Sequence, residues 1–149
     1  QNRWMYSLVS SPGTGRAQAG KFVLYLQTAD ATTSSLKTNS SPVGGNNQII
    51  IGDDNMTWSF NGQIVARSTN QTDYAIWEVK GSVTRGTGAA STTIDVAIIN
   101  PIYHTAGAAA WAVSIDADTT NAAAQINVTG ESATTIRWVA NIDTTEVGT

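Results

Sequence analysis

The sequence predicts an all-β protein, specifically a jelly-roll-like β-sandwich of eight or nine antiparallel strands. The first observation is residue choice: the 149 residues include 21 Thr and only four Leu, and β-branched residues fit a pleated, half-buried surface. The second is a strict alternation of apolar and polar residues, clearest between Asp73 and Gly86. The third is spacing, because turn-forming residues interrupt the apolar segments roughly every ten residues, as in sandwiches.

The segment Asp73–Gly86 is the strand around which we expect the sheet to be organised. Successive side chains of a strand point to opposite faces, and four apolar residues of this segment share one parity: Ala75, Trp77, Val79 and Val83. Polar residues fill most of the other parity, and Ile76 is the exception among the large apolar residues. The pattern predicts a strand with one face on a core and one face toward solvent.

The chain before this strand divides into an arm and the first strands. Residues 1–19 are predicted to be an N-terminal arm or the end of a linker, and 20–149 a single sandwich domain. Lys21–Thr28 is a nearly continuous apolar run, which predicts a strand covered on both faces. Ala29–Gly45 is rich in turn formers and predicts a long surface loop with room for one edge strand, and Asn47–Ile51 predicts a short strand.

Two interpretations compete for Met56–Arg67. The dipeptide Asn61-Gly62 is a strong signal for a two-residue hairpin. However, the apolar residues keep one parity straight through the dipeptide: Met56, Trp58, Phe60, Ile64 and Ala66. A hairpin would leave Ile64 outside the core, so we predict one long strand with a kink at the glycine.

The second half of the chain predicts four further strands. In Thr92–Tyr103, the residues Ile94, Val96 and Ile98 alternate, and we expect Pro101 to end the pairing. Alanines precede Trp111, but the alternation of Trp111, Val113 and Ile115 favours a strand over a helix. A short strand over Gln125–Thr129 follows, and the last strand has its inward residues at Ile136, Trp138, Ala140 and Ile142.

Composition excludes several classes of function. The net charge is −3 and the eight basic residues are scattered, whereas a nucleic-acid binder needs clustered Lys and Arg. No apolar run approaches the roughly 20 residues of a membrane span, so we expect no membrane insertion. The absence of cysteine excludes disulfides and thiolate metal sites.

Catalytic and metal-binding patterns are weak, so we expect no enzyme, no cofactor and no metal. His104 is the one histidine, and no G-x-S-x-G nucleophile motif is present. Asp116 and Asp118 share a parity that would place their side chains ~7 Å apart, inside the ~6.5–9.5 Å range of inverting glycosidases. They lie in DADTTN, however, where Asp and Asn typically form turns. The same objection applies to calcium binding there or at Asp53–Asn55, because DADTTN lacks the glycine and distant glutamate of a calcium loop.

Four segments carry a family resemblance: WSFNGQIVAR (58–67), AIWEVKGSVTRG (75–86), AAWAVSIDADTTNAAAQINVTGE (109–131) and TIRWVANIDTTEV (135–147). Together with GKFVLYLQTAD (20–30), they resemble a small domain at the C-terminal ends of tail-fibre and other virion-associated proteins of bacteriophages and related large viruses. The resemblance is architectural and includes no catalytic residue. It implies a homotrimeric virion appendage that joins upstream fibre segments and serves host attachment or trimer formation.

The aromatic residues supply the candidate functional positions. Inward parity assigns four tryptophans to the core: Trp58, Trp77, Trp111 and Trp138. The remaining candidates, for a ligand site or a subunit interface, are Trp4, Tyr6, Tyr74, Tyr103 and His104. Exposed aromatic rings near Asn, Asp and Gln suit sugar binding, and aromatic residues are also enriched at interfaces.

We therefore expect a homotrimeric viral tail-fibre or spike tip domain that binds a host-surface glycan outside the cell. Two alternatives remain. The domain could be a trimerisation or capping module without receptor contact, or a monomeric carbohydrate-binding module of a secreted enzyme.

Overall fold

The computed structural model describes residues 17–70 and 72–149 in full and residues 3–7 by their backbone. Over this part, the chain forms two 3₁₀ turns, Ala89–Ser91 and Ala106–Ala108, and ten strands: β1 (Arg3–Ser7), β2 (Ala17–Thr28), β3 (Ser34–Ser35), β4 (Ile49–Ile50), β5 (Met56–Ser68), β6 (Tyr74–Arg85), β7 (Thr92–His104), β8 (Ala112–Asp118), β9 (Ala123–Thr129) and β10 (Ile136–Gly148). Neither turn, nor any other helix in these ranges, has the length and apolar character needed to cross a bilayer.

The strands form two antiparallel sheets. The larger has six strands in the order β1-β2-β10-β5-β6-β7. In the smaller sheet β9 is the central strand, and it pairs with β8, β3 and β4. The segment after β3 returns to the larger sheet, where the backbone of Lys37 pairs with that of Tyr25. The prediction of an all-β sandwich is confirmed.

One hydrophobic core lies between the two sheets. The predicted inward row of β6 is buried, and so is the predicted row of β10 from Ile136 to Ile142. From the smaller sheet, Ile115, Ile126 and Val128 pack into the same cluster. The row of β10 continues beyond the predicted strand to Thr144 and Glu146, which are also buried.

Strand β5 is one continuous strand, as predicted. Its burial alternates from Met56 to Ser68, and its register with β10 and β6 runs through Gly62 without a shift. The glycine is required for space: a Cβ there would lie 2.0 Å from the backbone oxygen of Asn141 and 2.8 Å from Cδ1 of Ile142. The residue that suggested a hairpin is therefore a point of close strand packing.

The prediction that β2 is covered on both faces is wrong. Phe22 and Leu24 are buried, whereas Tyr25 on the opposite face is 42% exposed and Val23 is half-buried. The reason is that the sandwich covers only one face of the larger sheet. The apolar residues on the other face stay accessible to solvent.

The predicted end of β7 at Pro101 is also wrong, because the strand continues to His104. As an edge strand, β7 tolerates a proline whose missing N–H faces away from the sheet. Its register with β6 shifts twice, between Ile76 and Trp77 and between Ser82 and Val83. The second shift turns Val96 and Ile98 away from the core, so these residues are 48% and 47% exposed.

We predict that Gly62→Ala lowers the free energy of unfolding by about 3 kcal/mol, because the new methyl group collides with a backbone oxygen in the middle of the sheet. Urea unfolding at 25 °C measures the change. Gly52→Ala is the matched control, because its added Cβ would meet no atom within 4 Å, and it should change stability by less than about 0.5 kcal/mol. Equal losses in both variants would contradict the packing argument.

Candidate functional site

The candidate site is the outer face of the larger sheet, which is the face turned away from β8 and β9. Antiparallel pairing aligns the outward side chains of neighbouring strands into rows across the sheet. Three adjacent rows stand out, which we name the cationic ladder (Gln27, Arg137, Arg67, Tyr74), the apolar ladder (Tyr25, Val139, Val65, Ile76, Tyr103) and the amide ladder (Val23, Asn141, Gln63, Glu78, Asn100).

The apolar ladder crosses five strands, from β2 to β7. Its three central members, Val139, Val65 and Ile76, are flanked by a tyrosine at each end. Tyr25 and Tyr103 are 42% and 52% exposed, and the two valines are 48% and 45% exposed. Large contiguous apolar patches on protein surfaces are typical of interaction sites, which makes this row a candidate contact surface.

Tyr74 and Tyr103, two of the residues chosen from sequence, meet on this face. Their ring centroids are 5.5 Å apart with an interplanar angle of 30°. The register shift next to Ile76 creates this contact, because it places Tyr103 rather than Ile102 opposite Ile76. A bulge of this kind re-aims a side chain, and here it turns a tyrosine toward the outer face.

The cationic ladder borders the apolar ladder on one side. Arg67 and Arg137 are directly opposite each other on β5 and β10. The Arg67 guanidinium lies 5.8 Å from the centre of the Tyr74 ring, and Nε of Arg137 donates a hydrogen bond of 3.4 Å to Oε1 of Gln27. Gln27 thus orients the side chain of Arg137, and Tyr74 orients that of Arg67.

The other sequence candidates lie elsewhere. His104 is exposed at the end of β7, opposite Ala75, and its Nδ1 lies 2.9 Å from the backbone oxygen of Thr105. The side chains of Trp4 and Tyr6 lie outside the described residues. Their backbone belongs to β1, at the opposite edge of the sheet from β7. Of the three candidates whose side chains the structure describes, Tyr74 and Tyr103 are in contact with each other.

Sequence reasoning missed the arginines, Tyr25 and the two valines of this face. Parity alone could have marked them as outward, because each alternates with a buried neighbour in its strand. Their proximity to one another could not be read in this way. It depends on the position of β10 between β2 and β5.

The carboxylate pair Asp116 and Asp118 does not form a two-acid site. Asp118 ends β8 and caps the following turn: its Oδ1 accepts the N–H groups of Thr120 and Asn121, both at 3.0 Å. Its Oδ2 accepts hydrogen bonds of 2.7 Å from the side chains of Gln48 and Asn121. Burial raises the pKa of Asp118, but these hydrogen bonds outweigh it and hold the pKa below the ordinary 3.8. A general acid needs the opposite shift.

The side chain of Asp116 is exposed on the outer surface of the smaller sheet, where it forms hydrogen bonds with its neighbours. Its Oδ2 accepts hydrogen bonds from Ser114 and Asn127 at 3.0 and 2.9 Å. At the other predicted turn, Oδ1 of Asp54 forms a 2.8 Å salt bridge with Arg85 and accepts the N–H of Gly88. Among the residues that the structure describes, no cluster of three acidic or histidine side chains could hold a metal ion.

Comparisons with known proteins found a weak similarity to solved structures. No family model matches the chain, and no curated protein matches it. The crystal structure of the tailspike protein of Acinetobacter baumannii phage AM24 is similar with a TM-score of 0.34 and 10% sequence identity. The similarity covers 85% of this chain and 26% of the tailspike chain, so this chain spans about a quarter of that protein's length.

We predict that Asp118→Asn removes a pH-dependent part of the stability. A carboxyl whose pKa is lowered by folding stabilises the protein above its unfolded pKa, and this stabilisation is lost as pH falls through the folded pKa. Wild type should therefore be more stable than the variant at pH 7, and the difference should shrink below about pH 3.8. Urea unfolding at several pH values measures it. A difference that stays constant across this range would contradict the assignment.

Proposed function

We propose that this chain is a non-enzymatic domain of a virion appendage, a bacteriophage tail fibre or spike, which binds a host-surface glycan outside the cell as a homotrimer. The segments that carry the sequence resemblance to virion-associated domains form β5, β6, β8, β9 and β10. They therefore supply most of the core. The domain would be joined to upstream fibre segments.

The observation that carries the glycan proposal is the Tyr74–Tyr103 pair beside polar ladders. Sugar rings present apolar C–H faces that pack on aromatic rings, and their hydroxyls need hydrogen-bond partners. Tyr103 offers an exposed ring, and Asn141, Gln63 and Asn100 of the amide ladder lie one row farther along the sheet. The two requirements are met on one face of the sheet.

Trimerisation fits a surface of this kind because single glycan contacts are weak. Three copies around an axis convert weak contacts into a higher overall avidity when the glycans are spaced to engage them together. A trimer could also cover the exposed edge strands of the sheet, but this is a weaker argument for a trimer than avidity. The edge strand β7 already has two bulges and a proline, which are devices that prevent pairing with another chain.

A second candidate function, assembly without receptor contact, is favoured by the length of the apolar ladder. The apolar ladder has five outward apolar or aromatic residues in register across five strands. This row is longer than a single sugar ring. Such a row is what an interface between copies of the chain buries. In this alternative, Tyr103 contacts another subunit instead of a sugar.

We expect Tyr103→Ala to weaken glycan binding about tenfold, equivalent to about 1.4 kcal/mol, because it removes the exposed ring of the tyrosine pair. A glycan array identifies the ligand, and calorimetry with the best ligand measures the loss. Tyr103→Phe is the conservative control, since it keeps the ring and should retain most of the affinity. If wild type binds no host glycan, or if Tyr103→Ala binds as well as wild type, this site does not recognise a glycan.

We expect a solution mass near three times 15.6 kDa by light scattering after size exclusion. Val65→Asp tests whether the apolar ladder is the subunit interface, because a charge in the centre of a buried apolar contact is costly. Ser59→Asp is the control on the same face of the same strand. Dissociation of Val65→Asp alone would support the assembly function, and a monomeric wild type would contradict the trimer and favour a carbohydrate-binding module.

A further inference from the structure

Two positively charged side chains of the cationic ladder stand side by side on neighbouring strands. In an antiparallel pair, directly opposed residues have their Cβ atoms about 4.5–5.5 Å apart, and like charges in such positions repel each other. Arg67 and Arg137 occupy positions of this kind. The ladder contains no acidic residue, and Arg137 forms no ion pair with any residue that the structure describes.

The surroundings of the pair leave space for a ligand. A recess of about 430 Å³ lies at the arginines and is lined by Arg67, Ser68, Thr69 and Arg137. Gln27 and Tyr74 contact the arginines from the two outer sides of the ladder. Side chains oriented before binding lose less freedom when a ligand arrives.

A second recess adjoins the first at Arg137. It measures about 410 Å³, and Tyr25, Leu26 and Val139 of its lining are apolar or aromatic. Arg137 therefore separates a cationic recess from an apolar one. A ligand that spans both would place an anionic group next to the arginines and an apolar face next to Tyr25 and Val139.

We propose that the cationic ladder is a carboxylate-binding subsite for acidic saccharides, those containing a uronic or sialic acid. Arginine is suited to a carboxylate, because the guanidinium can donate two parallel hydrogen bonds to its two oxygens. A sugar carboxylate is attached to a ring whose C–H face fits the neighbouring apolar recess. This subsite rests on the proposed glycan-binding function and specifies its ligand class.

The test compares each acidic oligosaccharide with its carboxyl-reduced counterpart, which differs only at the carboxyl group. Wild type should bind the acidic form at least tenfold more tightly, and the preference should fall as salt is added. Arg137→Gln and Arg67→Gln should each bring the ratio of the two affinities close to one. Lys80→Gln, which removes one charge from an outward position on the same face, should leave the ratio unchanged.

The outcomes separate this inference from the proposed function. Equal binding of both saccharide forms, lost in Tyr103→Ala, would overturn the carboxylate subsite and keep glycan recognition. Binding of neither form, with no hit on the glycan array, would overturn both.

The thermal stability of the variants provides a readout independent of binding. Because Arg137 is exposed and forms no ion pair with any residue that the structure describes, Arg137→Gln should unfold at nearly the same temperature as wild type. A variant that loses stability together with its preference for the acidic form would mean that the arginines hold the fold, and that result would overturn the subsite.

Discussion

The packing of Trp138 is the interaction on which the rest of the structure depends. Its buried ring lies 5.7 Å from that of Trp77 in β6 and 5.9 Å from that of Trp111, which directly precedes β8. Its Nε1 donates a 2.9 Å hydrogen bond to the hydroxyl of Thr28 at the end of β2. This one side chain of β10 therefore contacts two other strands of the larger sheet and the residue that leads into the smaller sheet. Aromatic pairs of this kind contribute about 0.5–1.5 kcal/mol each beyond the area they bury.

Fixing Trp138 also fixes its neighbours on the other face of β10. Arg137 and Val139 flank it in sequence and point outward, so each takes its place in a ladder between β2 and β5. The candidate site is therefore built on strands whose opposite side is the hydrophobic core. A surface held in this way is ready for a ligand without rearrangement, whereas a loop would have to be ordered first.

The edge strand β7 is irregular, and its irregularities shape both the sheet edge and the outer face. Its bulges and Pro101 interrupt the regular edge that another chain could extend. The bulge near Ile76 also places Tyr103 on the outer face beside Tyr74. With the other bulge of β7 kept and this one removed, Ile102 would stand opposite Ile76 and Tyr103 would point to the core side.

The sequence by itself determined the all-β class, the continuity of β5 and the buried rows of β6 and β10, because side-chain alternation is a local property with a period of two. It also identified Tyr74 and Tyr103 as candidates. Only the tertiary structure decided that β10 lies between β2 and β5, which sets Arg137 opposite Arg67 and Tyr25 opposite Val139. Strand order and bulges depend on contacts between residues far apart in the chain, such as Thr28 and Trp138, and no local pattern encodes them.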